Sequence, residues 1–202
     1  MLILASASPR RQELLRNAGI EFEVQPANIE EKMIPGELPE ACAERLACAK
    51  ARAVYDQRTA DQSTFSVLGA DTIVVVDEVA DEVVDEEDGW EILGKPSDAA
   101  DAARMLNRLA GREHRVITGV CVLAPGPPPR MMIRRDVTWV TMNTLTEREI
   151  SDYVASGEPM DKAGAYAIQG HASRWIPRIE GCYFNVVGLP ISLVCSMLRN
   201  NA

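Results

Sequence analysis

Residues 2–19 read Leu2-Ile3-Leu4-Ala5-Ser6-Ala7-Ser8-Pro9-Arg10-Arg11 and then QELLRNAG to Gly19. The apolar run Leu2 to Ala5 suits a short, fully buried strand. Ser6-Ala7-Ser8 is a turn of small residues. Ser8 is a good N-cap and Pro9 fits the first helical position, so a helix is expected from Pro9 through Leu14 and Leu15 to a C′ glycine at Gly19. Strand, tight turn and helix in this order open an α/β fold. The first-turn N–H groups lack intrahelical partners and carry the positive end of the dipole, which makes the turn an anion site. Arg10 and Arg11 oppose that dipole and call for a negative group nearby. Two solvated arginines on an exposed helix face are the commoner fate of a basic pair taken alone. The serines and the cap favour phosphate.

Working outward, the 202 residues suffice for one substantial core, or for two lobes sharing a sheet, with 47% apolar residues to fill it. A single domain spanning residues 1–202 is expected. The net charge of −9 argues against a nucleic-acid polymer as partner, since that binding is mostly phosphate neutralisation. A free nucleotide in a local basic pocket is not excluded. No run approaches the roughly 18 apolar residues of a membrane span, and Met1 leads straight into a strand without the pattern of a signal peptide. A cytoplasmic protein is expected. The five cysteines, Cys42, Cys48, Cys121, Cys182 and Cys195, are odd in number and scattered, without a C-x-x-C pair. They read as small buried hydrophobes, not as a disulfide framework or zinc site.

Ile20 to Gln25 alternates apolar and acidic residues, as a half-buried strand does, and Pro26 ends it. Pro39 to about Tyr55 predicts a helix with an apolar stripe through Leu46, Ala49, Ala53 and Val54. Phe65 to Ala70 enters a buried strand, and Asp71 stands directly before the apolar run Thr72 to Val76. An acid there is expensive to bury as an unpaired charge and needs a cation, hydrogen bonds or a shifted pKa. The alternative is a strand break with Gly69 supplying the turn. Residues 77–91, DEVADEVVDEEDGWE, read as a solvated acidic insert that lacks the spacing of a calcium loop. Ser97 or Asp98 caps a helix over Ala99 to Leu109. His114 to Leu123 and Met131 to Met142 form two strands around a proline-rich turn. Thr146 with Glu149 forms a capping box, Glu158 to Gly170 is polar and glycine-rich, and a helix closes the chain at about Pro190 to Leu198. The alternation indicates α/β with a mixed sheet. Neither histidine has a partner at metal-ligand spacing.

These pieces together resemble the Maf family of nucleoside triphosphate pyrophosphatases. The likeness runs through LASASPRRQELL, CAKARA, LGADTIVVV, LGKP, GREHRVITGV, DKAGAYAIQG and IEGCYFNVVGLPISLV, in order, over nearly the full length. The resemblance implies hydrolysis of a nucleotide between the α- and β-phosphates, with a divalent cation, magnesium or manganese. It also implies an elongated mixed sheet flanked by helices, like that of inosine triphosphate pyrophosphatases, with two lobes and an active-site cleft. A homodimer is an expectation resting on the resemblance alone. Matched position by position, Ser6, Ser8, Pro9, Arg10 and Arg11 form the phosphate motif. Asp71 is the catalytic acid, as general base or as metal ligand, and Glu31 is its metal partner. Lys50 and Lys95 neutralise phosphate charge, while Thr72 and Gln169 match positions of base selection. The DKAGAYAIQG form resembles the branch acting on dTTP and UTP more than the branch acting on 7-methyl-GTP. Two departures stand out: the acidic insert, and His171-Ala172 where the family usually carries further glycine. A non-catalytic nucleotide-binding regulator of septum formation and a purely structural domain are the rival readings. The first does not need two acids beside a triphosphate, and the second leaves Asp71 unexplained.

Overall fold

The structure, a computed structural model, describes residues 1–58, 64–77, 89–126 and 128–199. Residues 78–88, the body of the acidic insert, lie outside the described residues. β1 (Leu2–Leu4) is buried throughout and leads into α1 (Pro9–Asn17). Ser8 caps α1 by accepting from the Arg11 N–H, Pro9 opens it, and Gly19 follows its end at φ +69°.

β2 (Glu23–Val24) is shorter than the expected strand over 20–25 and exposed at both residues. The cause is its neighbour: it pairs only with β1, at Ile3↔Glu23 and Leu4↔Val24, and three residues of β1 offer no longer ladder. α2 (Pro39–Gln57) follows. β3 (Ser66–Asp77) then runs unbroken through Asp71, which excludes the alternative of a strand break at Gly69. Gly69 serves a different purpose. A Cβ built on it would lie 2.2 Å from the Ala47 carbonyl oxygen, and one on Gly119 would lie 2.2 Å from that of Ala43. Both glycines thus let α2 press its backbone onto the sheet.

β4 (Trp90–Leu93), α3 (Ala99–Leu109, capped by Asp98), β5 (Glu113–Ala124), β6 (Arg130–Thr141) and α4 (Glu147–Ala155) come next. α4 carries the expected capping box, with the Thr146 N–H donating to Glu149 and the Glu149 N–H to the Thr146 hydroxyl. Three short 3₁₀ segments occupy 158–175, followed by β7 (Arg178–Glu180), α5 (Tyr183–Val187) and α6 (Ile191–Arg199). The seven strands form one sheet in the order β2-β1-β3-β5-β6-β7, with β4 also on β3. β1 is parallel to β2 and β3, whereas β4 runs antiparallel to β3 and β7 to β6. The α/β class and the mixed sheet are as the sequence predicts.

Two compact units divide the chain. One holds Met1–Thr72, Thr118–Asp136 and Phe184–Ala202, the other Ile73–Ile117 and Val137–Tyr183. In the first, Ile3, Ala47, Ala51, Val54, Tyr55, Phe65, Val67, Cys121 and Leu123 form a closed core. In the second, α3 packs against α4, and Tyr153 meets Trp175 edge to face at 5.3 Å. Among the described residues no helix is long and apolar enough to cross a membrane.

Candidate active site

Ser6 and Arg11 sit where β1 turns into α1, and both are buried. The Ser6 hydroxyl accepts from the Ser8 N–H at 3.2 Å and from Arg11 Nη1 at 3.3 Å. Arg11 does more than face the turn. Its Nε donates to the Gly188 carbonyl at 2.8 Å, Nη1 to that of Ala70 at 2.8 Å, and Nη2 to the Thr72 hydroxyl at 3.0 Å. Four of its five N–H donors are thereby engaged within the protein. Burial pushes the guanidinium below its ordinary pKa, and the negative charge of Asp71 pushes back. The arginine pair therefore splits. Arg10 is half-buried in the first turn of α1, while Arg11 welds α1 to β3 and to the C-terminal segment. Gly188, at φ +124°, adopts a backbone conformation that suits glycine, and a Cβ there would stand 3.9 Å from Arg11 Nε. The Thr72 hydroxyl lies 2.9 Å from that of Thr118, which in turn donates to the Asn185 carbonyl at 3.2 Å. Thr118 carries no sequence signal, because a threonine in a strand is unremarkable.

One residue before Thr72, Asp71 is 5% exposed and Lys50 is 8% exposed. Charges this deep need partners. Lys50 Nζ contacts Asp71 Oδ1 at 2.5 Å and Glu31 Oε1 at 2.6 Å. A lysine on a helix is ordinarily solvated; the close approach of α2 at Gly69 instead sets Lys50 against β3. Glu31 is exposed, so the pair of acids converges on one cationic point that begins in the interior and ends at solvent. Two carboxylates meeting within hydrogen-bond reach of a single ammonium form a donor set fitted to a hard divalent cation, which takes oxygen ligands and completes its shell with water and phosphate. Among the described residues no group of three or more His, Cys, Asp or Glu could hold a metal; Glu31 and Asp71 are two carboxylates that meet at Lys50.

Lys95 and Gln169 belong to the second unit and are exposed. Lys95 follows Gly94, whose carbonyl accepts from the Gly164 N–H at 3.0 Å. Gln169 lies between Ala165, the one described non-glycine residue with positive φ, at +58°, and a 3₁₀ turn that opens at His171. Residues given no site role in the sequence reading hold its neighbours in the chain. His114 is fully buried, with Nε2 2.7 Å from the Tyr166 hydroxyl, and Glu158 accepts from the Tyr153 hydroxyl and the His171 N–H.

The five cysteines are free; Cys42 and Cys121 are buried as the sequence reading has them, whereas Cys48, Cys182 and Cys195 are only half-buried. Burial and the nearby Glu37 push the Cys42 thiol up to about 11, which leaves it un-ionised and unreactive.

The family model described as Maf-like protein matches residues 1–201. A dTTP/UTP pyrophosphatase of Koribacter versatilis is 50% identical over 98% of this chain and 93% of its own. One of Syntrophomonas wolfei is 47% identical over 96% of this chain and 94% of its own. Among solved structures, a nucleoside-triphosphatase, dITP/XTP pyrophosphatase, of Mycobacterium abscessus aligns over 98% of this chain and 93% of its own, at 14% identity and a TM-score of 0.43. With one family model spanning it almost end to end and relatives sharing about half its residues, the chain belongs to the Maf family.

Proposed function

We propose that the chain hydrolyses nucleoside triphosphates, dTTP and UTP foremost, to the monophosphate and pyrophosphate. The observation that carries this reading is the buried Lys50 ammonium held by both Asp71 and Glu31, one residue along β3 from the Arg11–Thr72 cluster. The names of the relatives support the same substrates.

The Ser6–Ser8 turn and the start of α1 receive phosphate oxygens. Water adds to the α-phosphorus, the bond to the bridging oxygen breaks, and that oxygen leaves with its electron pair on pyrophosphate. Asp71 takes the proton of the attacking water or anchors the cation beside it. Lys50, and Lys95 from its exposed turn, offset charge that builds on the phosphates. A magnesium or manganese ion, when bound at Glu31 and Asp71, supplies further neutralisation of phosphate charge. Thr72, with its hydroxyl already oriented by Arg11, and Gln169, whose amide offers a donor and an acceptor, read the pyrimidine edge.

The test is pyrophosphate release from dTTP, UTP, CTP, GTP and 7-methyl-GTP, each with magnesium, with manganese and with EDTA. Release chiefly from dTTP and UTP, abolished by EDTA, is expected. Turnover centred on 7-methyl-GTP would overturn the base assignment. A folded protein that binds UTP and releases nothing would overturn the activity.

A further inference from the structure

Gln169 is exposed, so its aim depends on how firmly its backbone is held. Three side chains outside the assigned site hold it. On the N-terminal side, the Tyr166 hydroxyl meets His114 Nε2 at 2.7 Å, and the Ala167 N–H donates to the Tyr153 hydroxyl at 3.3 Å. On the C-terminal side, the His171 N–H donates to both carboxylate oxygens of Glu158, at 3.0 and 3.3 Å. Glu158 joins the two sides, because its Oε1 also accepts from the Tyr153 hydroxyl at 2.9 Å. The carboxylate thus fastens the residue two positions after Gln169 to the tyrosine that fastens the residue two positions before it.

The approach is close by construction. A Cβ on Gly170 would lie 2.1 Å from Glu158 Oε1, so glycine after Gln169 leaves room for the carboxylate, which a larger residue would shift from this position. Just upstream the chain takes two successive left-handed residues, Gly164 at φ +67° and Ala165 at φ +58°. A left-handed alanine is strained and persists only where its surroundings over-determine the path. The loop is therefore fixed at entry, at both flanks of Gln169, and through one carboxylate that bridges them.

We propose that Glu158 is a positioning residue for pyrimidine selectivity: it sets the orientation of Gln169 by clamping His171 and Tyr153. The proposal rests on the reading of Gln169 as the base-selecting side chain. Glu158 touches neither substrate nor reacting atoms. It acts through the backbone on either side of Gln169, by charge-assisted hydrogen bonds that a neutral or shortened side chain reproduces in part or not at all.

The experiment measures kcat and KM for UTP and CTP, whose bases carry opposite hydrogen-bonding groups at C4 (carbonyl against amino) and at N3 (N–H against bare nitrogen), together with thermal melts. The variants are Gln169→Ala, Glu158→Ala, Glu158→Gln and the double Glu158→Ala/Gln169→Ala. Glu158→Ala is expected to cut the UTP:CTP preference by about two- to tenfold, the worth of one oriented hydrogen bond, chiefly through a raised KM for UTP. Glu158→Gln, which still accepts from the His171 N–H, retains most of the preference, and the double variant is no less selective than Gln169→Ala alone. An equal loss on UTP and CTP in Glu158→Ala, or an unchanged ratio, overturns the proposal while leaving Gln169 in its role. A Gln169→Ala protein with the parental ratio overturns the reading of Gln169 and this proposal with it. Should Glu158→Ala fail to fold, Gly170→Ala makes the same test, since its methyl group displaces the Glu158 carboxylate; it is expected to lose the preference, and retention of the preference counts against the clamp.

Discussion

Asp71 shows how much one residue in the wrong company can reveal. A carboxylate inside the apolar strand β3 demands compensation, and Lys50 with Glu31 behind it supplies that compensation. Asp71→Asn keeps the shape and removes the charge. We expect turnover to fall by at least about a hundredfold while the circular dichroism spectrum is unchanged, and retained turnover would remove Asp71 from the chemistry. His114 makes a different demand. Fully buried, with Nδ1 unpartnered among the described residues, it has a pKa pushed by burial down to about 3. The unfolded chain, with a pKa near 6.5, binds a proton that the folded chain refuses. This contribution to stability is therefore present above about pH 6.5 and is lost as pH falls toward 3, by at most about 1.4 kcal/mol per pH unit. Urea melts at pH 7 and pH 5 should show a smaller acid loss in His114→Gln than in the parent; equal losses would mean that His114 is not the group responsible. Of the two, only Asp71 is legible in the sequence. An acid among valines is a local anomaly, whereas His114 at a strand start is ordinary until Tyr166, fifty-two positions later, is seen beside it.

At the scale of elements, local chemistry was readable wherever the partners are close in sequence. Ser8 and Pro9 start α1, Asp98 starts α3, and the Thr146–Glu149 box starts α4, each through groups within three residues. β2 was over-read, because alternation states which residues prefer burial and not whether a neighbour is long enough to pair. α2 owes its placement to Gly69 and Gly119, where added methyl groups would meet backbone atoms that cannot rotate away. Gly119→Ala should destabilise the protein by about 1–3 kcal/mol, because the Ala43 carbonyl must retreat and carry α2 with it. Lys50 rides on α2, so kcat should fall as well. Denaturant melts and steady-state rates check this, and a variant of parental stability and rate would show that the helix gives way freely.

Over the whole molecule, the family was legible because short motifs stand in order along nearly the full chain. The role of Arg11 was not. The sequence offers it to phosphate, and the fold adds bonds to the carbonyls of Ala70 and Gly188, 59 and 177 positions away, that no local pattern announces. Glu158 is silent for another reason: its partners Tyr153 and His171 are only 5 and 13 positions away, but they meet it through a loop path no local rule predicts. Neither compact unit is a continuous stretch of chain, and strands β3, β5 and β6 each contribute residues to both. The Arg11–Gly188 bond then acquires a meaning during synthesis. A ribosome adding about 5–20 residues per second makes the guanidinium some 10–35 seconds before its carbonyl acceptor 177 residues later. Throughout that interval the guanidinium has Ser6, Ala70 and Thr72 within the chain already made but lacks its Gly188 acceptor, so the buried cation of the first unit gains its full set of partners only after the segment from Phe184 is synthesised.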